Sequence, residues 1–136
     1  MTLNIGGLTN STSTLNKETI NFLKNLGYAS KSHWSKYLGG NIITDSLLGI
    51  KYIIDSENAD ISKYYDLTDL EPVNVNNTDY YAYINNYALS LAYSVNESVL
   101  DYEFKGKTPM ENINGLLSAM IGSTETVILV ILFLEA

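Results

Sequence analysis

Cysteine is absent from this 136-residue chain, which excludes a disulfide framework and a thiolate metal site together. Histidine occurs once, as His33. An imidazole metal centre would then need several carboxylates, and no HExxH or DxDxG spacing supplies them. Cations are scarce, eight against fifteen acids for a net charge of −7. That balance excludes nucleic acid as a partner, because a phosphate backbone is held by clustered Lys and Arg. It also opposes electrostatic docking on an anionic lipid surface. The glycine pairs Gly6-Gly7 and Gly39-Gly40 match neither a dinucleotide fingerprint nor a P-loop, so no cofactor is expected. The opening residues have neither a basic n-region nor an apolar h-region. Export of the chain would need something upstream to carry it. The one long apolar run, TVILVILFL at residues 126–134, spans about 14 Å as a helix, roughly half of a bilayer core. Its Val, Ile and Phe content favours a buried strand; the alternative is the stub of a membrane helix.

What is present describes a small folded domain. The hydrophobic fraction of 46% is ordinary for a globular chain, and a chain this long forms one domain with a real core. Residues 1–136 are therefore expected to be a single domain. Eleven Tyr stand against three Phe and one Trp, and tyrosines suit half-wet strand faces and contact surfaces.

Local signals are strongest for two helices. Asn16 as a cap, Glu18 in the first turn, the stripe Ile20, Leu23, Leu26 and a stop at Gly27 predict a helix over 16–26. Thr108-Pro-Met-Glu111 is a capping box with Pro at the first helical position. Ile113, Leu116, Leu117, Met120 and Ile121 follow as the buried stripe, and Gly122 ends a helix over 109–121. Residues 30–38 place Trp34, Tyr37 and Leu38 at helical spacing and predict a short helix or turn. Thr44 or Asp45 would cap a single turn through Leu48, with Gly49 breaking it before a mostly buried strand at 50–54. Residues 72–75 predict an edge strand before an Asn76-Asn77 turn. Residues 80–84 and 89–95 alternate as strands, and Asn85-Asn86 between them suggests a hairpin. This order fits an α/β (α+β) two-layer sandwich, a small mixed sheet with two or three helices packed on it.

No catalytic residue stands out. The acids Asp55, Glu57, Asp60, Asp66, Asp69, Glu71, Asp101 and Glu103 are spread through polar segments, without the convergence two-carboxylate glycoside chemistry needs. Lys51 lies inside the apolar run Gly-Ile-Lys-Tyr-Ile-Ile, so its charge must snorkel out, meet Asp45, or contact an anion. Tyr83, Asn86 and Tyr87, with Tyr93, are candidates for a polar-aromatic platform that contacts a glycan. Ordinary sheet packing is the competing reading. The candidate ligand contacts are thus Lys51, Tyr83, Asn86 and Tyr87, with no metal site.

Four blocks occur in an order that resembles the YfhO family of bacterial polytopic membrane proteins. They are Ser13-Thr-Leu-Asn with Phe22-Leu-Lys-Asn-Leu-Gly-Tyr28; Gly39-Gly-Asn-Ile-Ile-Thr-Asp-Ser-Leu-Leu-Gly-Ile-Lys-Tyr-Ile-Ile54; Tyr83-Ile-Asn-Asn-Tyr-Ala-Leu-Ser-Leu-Ala-Tyr93; and Met110-Glu-Asn-Ile-Asn-Gly-Leu-Leu117. The chain departs from the family pattern at Ile84-Asn85-Asn86, at Ser90 where Pro is usual, and at Met110 and Ile113. The resemblance implies a soluble extracytoplasmic domain from a larger membrane protein similar to GT-C glycosyltransferases, which move sugar from polyprenyl-phosphate to envelope polymers such as lipoteichoic acid. It implies placement at the cell membrane on the extracellular side. Its implied partners are the transmembrane portion of the parent chain and a cell-envelope glycopolymer. The family's catalytic carboxylate belongs to a loop absent here, so the domain itself would not be an enzyme. The alternative is a structural or protein-interaction module with no glycan-binding role, and a small hydrolase in the acidic loops is a third, weaker option.

Overall fold

The computed structural model describes residues 8, 10–11, 15–57, 61–106 and 108–124. The apolar run at 126–134 lies outside them, as does most of the opening segment. The chain divides into two compact units, residues 1–40 with 94–136, and residues 41–93. Their strands lie in two small antiparallel sheets, joined by three α-helices. This is the expected mixed α/β class.

In the first unit, helix α1 (Lys17–Asn25) starts where the side-chain oxygen of Asn16 accepts from the Glu18 and Thr19 amides at 2.8 and 3.1 Å. It ends in a Schellman motif: the Gly27 amide donates to the Lys24 carbonyl and the Tyr28 amide to Leu23. Gly27 holds the required left-handed conformation at φ 97°. Ile20, Leu23 and Leu26 are buried as their spacing predicts. Residues 30–38 are not helical. Strands β2 (Ser30–Lys31) and β3 (Trp34–Ser35) pair across a two-residue turn, and β1 (Asn10–Ser11) adds to the other edge of β3. The buried Ser30 and Ser35 hydroxyls donate to the Ile20 and Leu8 carbonyls at 3.1 and 2.6 Å, bonds that a helix through 30–38 would not make.

Helix α3 (Pro109–Ile121) has the predicted reciprocal cap between Thr108 and Glu111 and a left-handed Gly122 at its end. Asn112, Ile113 and Leu116 are buried, Leu117 and Met120 are half-buried, and Ile121 is exposed. The buried stripe is therefore shifted toward the N-terminus of the expected one. Asn112 explains the shift: its amide donates to the Asn25 carbonyl at the end of α1, and its oxygen accepts from the Gly106 amide. Phe22, Phe104 and Tyr102 stack edge to face at 5.7 and 5.2 Å. The Tyr102 hydroxyl donates to the Asn112 carbonyl at 2.8 Å, and burial raises its pKa. Replacing Thr108 by Ala should lower the stability of the chain by about 1 kcal/mol, read as a shift in the urea midpoint at unchanged slope.

In the second unit, α2 (Ile42–Leu47) begins one turn earlier than expected. Asn41, not Thr44 or Asp45, is the cap, in a reciprocal pair with Thr44. Strand β7 (Thr78–Ile84) is central. It pairs with β4 (Tyr52–Ser56) along one edge and with β5 (Asp66–Leu67) and β6 (Val73–Val75) along the other. Val75 pairs with Thr78 across Asn76-Asn77, whose φ values of 51° and 63° are those of a type I′ hairpin turn. The hairpin therefore forms at Asn76-Asn77, and residues 89–95 contain no strand. The Leu89 amide instead donates to the Ser46 carbonyl and the Tyr93 hydroxyl to Leu47. Strand β4 is not mostly buried. Ile53 is buried, while Tyr52 and Ile54 on the opposite face are exposed. Ile53, Tyr65 and Tyr83 form the core, against which Ile42, Ile50, Ile61 and Tyr81 pack.

Candidate functional site

Three of the four candidate contacts gather at one end of the sheet in residues 41–93. The Asn85 amide donates to the Lys51 carbonyl at 2.8 Å, which sets Lys51 beside the segment where β7 ends and Asn86 and Tyr87 follow. Lys51 is exposed, with its ammonium 5.8 Å from the Tyr52 ring centroid. It snorkels along that ring and makes no pair with Asp45, which is 0% exposed. Asn86 is exposed and donates to Asp66 at 2.5 Å. Tyr87 is 68% exposed.

Tyr83 is a different case. Its side chain is 4% exposed, packed with Ile53 and Tyr65, so it builds the core and cannot be part of a contact surface. The reason is the pleat: Tyr83 pairs with Ile53, and paired residues share a face of the sheet. Tyr93, through its bond to Leu47, anchors the loop after β7.

Two residues that organise this end are less evident in the sequence. Asn85, 1% exposed, donates from its side chain to the Ile50 carbonyl at 3.1 Å and the Ser46 hydroxyl at 3.2 Å, and accepts from the Tyr87 amide at 3.0 Å. Asn85 thus satisfies the bend after β7. Asp45 accepts a hydrogen bond from the buried Tyr65 hydroxyl. The Asn-Asn pair signals a bend, yet which of the two turns inward depends on the strand register.

Among the described residues no group of three or more His, Asp or Glu could hold a metal ion. Asp66, Asp69 and Glu71 are exposed, and Asp55 accepts from the Ser56 amide next to it. His33 is exposed at the β2–β3 turn.

The outward face of the same sheet carries apolar side chains. Tyr52 pairs with Ile84, Ile54 with Ala82, and Val73 with Tyr80; of these Tyr52, Ile54, Val73 and Tyr80 are exposed, Ile54 at 59%. The chain matches the family model described as bacterial membrane protein YfhO over residues 1–131. It belongs to that family, and so to a family of bacterial membrane proteins. No curated protein and no solved structure matches it. Among the described residues no helix is long and apolar enough to cross a membrane.

Proposed function

We propose that this chain is a non-catalytic, extracytoplasmic part of a membrane glycosyltransferase whose parent moves sugar from a polyprenyl-phosphate donor onto a cell-envelope polymer such as lipoteichoic acid. Its role is to dock on the membrane-embedded part of that parent. Family membership supports the membrane setting. The observation that carries the docking role is the exposed sheet face of Tyr52, Ile54, Val73 and Tyr80. Contiguous apolar side chains of this kind mark interaction surfaces. The partner committed to is the parent's own membrane-embedded portion, because Ile54, Val73 and Tyr80 are exposed and apolar in a chain of net charge −7. The charges of Asp66, paired with Ile84, and of Lys51, beside the Tyr52 ring, lie at one end of the face.

The test uses the intact parent in membranes with Ile54→Thr and Val73→Thr together. Both changes keep a β-branched side chain, so strand preference is retained while apolar area is lost. Sugar transfer to the polymer should fall about tenfold, the equivalent of 1.4 kcal/mol of docking energy, with unchanged folding of the isolated chain. Unchanged transfer would refute docking, and turnover of a polyprenyl-phosphate sugar by the isolated chain would refute the non-catalytic role.

A second reading gives the Lys51, Asn86 and Tyr87 end a direct glycan contact, on the strength of the exposed Tyr87 ring. Saturable binding of a glycan or teichoic-acid fragment that is lost in Tyr87→Ala would favour it. Without such binding, the chain is a structural or protein-contact module alone.

A further inference from the structure

We propose that the free edge of β4 pairs antiparallel with β4 of a second copy of this chain, with Ile54 facing Ile54 on the two-fold axis. The Asn85 amide donates to the Lys51 carbonyl, so residues 51, 53 and 55 turn their backbone groups toward β7. Tyr52, Ile54 and Ser56 alternate with them and turn theirs to the opposite edge. Among the described residues no strand lies there, because β4 ends the sheet order β4-β7-β5. The Ser56 amide donates to the Asp55 carboxylate at 2.8 Å. Among the described residues the amides and carbonyls of Tyr52 and Ile54 have no such partner. An edge of this kind is a template for another strand.

The charge order along the strand names the partner, because residues 51–57 complement themselves. With Ile54 on the axis, Tyr52 faces Ser56 of the second copy, and all three outward residues enter hydrogen-bonded pairs. Lys51, one residue before the strand, then faces Glu57, one residue beyond it. The two-fold makes that contact twice. Both side chains are exposed, and among the described residues neither has an ion-pair partner of its own. Opposite charges directly across a strand pair stabilise it, and like charges weaken it. On the outward face, Ile54 (59% exposed) meets its own counterpart. Two terms oppose the pairing: each copy carries a net charge of −7, and Asp55 withholds the Ser56 amide. The dimer is therefore weak and forms at high concentration. It goes beyond the docking role above and does not rest on it, since the backbone edge, not the sheet face, makes the contact.

The chain has no cysteine, so a single introduced thiol reports the register. Facing residues of a hydrogen-bonded antiparallel pair have Cα atoms about 5.5 Å apart, within the range of about 4.4–6.8 Å that a disulfide spans. Ile54→Cys should therefore oxidise to a covalent dimer. Tyr52→Cys, at a similarly exposed position, should not, because its own counterpart lies four residues along, about 13 Å away. Mixed with Ser56→Cys, it should cross-link. Sedimentation equilibrium up to about 1 mM chain measures the reversible dimer. Lys51→Glu or Glu57→Lys sets like charges across both contacts and should raise the dissociation constant about tenfold. The two changes together restore opposite charges and should return it to within about twofold of wild type. Unchanged circular dichroism spectra confirm that the variants are folded. A chain monomeric up to that concentration, equal cross-linking of Tyr52→Cys and Ile54→Cys, a dimer indifferent to the single charge changes, or a double variant no tighter than the singles overturns the proposal.

Discussion

Changing Asn85 to Asp should cost about 3 kcal/mol or more, although one nitrogen is exchanged for one oxygen. The wild-type amide is 1% exposed and donates to the Ile50 carbonyl at 3.1 Å. An ionised carboxylate has no donor, and it would sit buried with an oxygen facing that carbonyl. Domains of this size have about 5–15 kcal/mol to lose in total, so the melting temperature should fall by about 10 °C or more. Burial raises the pKa of the introduced acid above its unfolded value of about 3.9. Stability is then lost as pH rises through the raised folded value. Relative to wild type at each pH, part of the deficit should return on acidification, because the protonated acid regains an O–H donor. Thermal unfolding of both proteins between pH 7 and about 4 checks this. A loss below about 0.5 kcal/mol would mean that the Asn85 amide does not organise the bend.

The second large effect separates core from surface. Tyr83→Ala should destabilise the chain by about 3–5 kcal/mol, the usual cost of truncating a buried aromatic ring. Tyr87→Ala, at a position 68% exposed, should stay within about 0.5 kcal/mol. Among the described residues, Ile53 and Tyr65 share the buried cluster with Tyr83, and Ile42, Ile50, Ile61 and Tyr81 pack against it, so the lost ring leaves a cavity at the centre of this core. Urea unfolding at constant slope measures both. Equal losses at the two positions would show that Tyr83 is not the core residue its 4% exposure indicates. The comparison matters for function, because it decides which tyrosines remain available for a ligand.

The four candidate contacts show how far local pattern reaches. Lys51 and Tyr87 are exposed, as a charged residue and a loop tyrosine are expected to be, and Asn86 joins them through its bond to Asp66. Tyr83 and Tyr81 read alike in the run Tyr80-Tyr-Ala-Tyr83. Only pairing with Ile53 puts Tyr83 in the core while Tyr81, paired with Asp55, stays half-buried. The same limit explains residues 89–95. Their alternation is genuine, but a strand needs an edge to pair with, and this segment donates instead to the carbonyls of Ser46 and Leu47.

Helices α1 and α3, their caps and their stops followed from sequence alone. So did the edge strand before Asn76-Asn77 and the residues that carry the family likeness. A helix satisfies its backbone within a few residues, so Asn16, Gly27, Thr108, Glu111 and Gly122 suffice to bound it. Tertiary structure alone decided that residues 30–35 pair as a hairpin, that Asn85 and Asp45 turn inward, and that Ile54 and Val73 remain exposed. Those outcomes depend on partners as much as 39 residues away, as between Ser46 and Asn85. A strand or a buried polar group takes its hydrogen bonds from wherever the fold brings a complement.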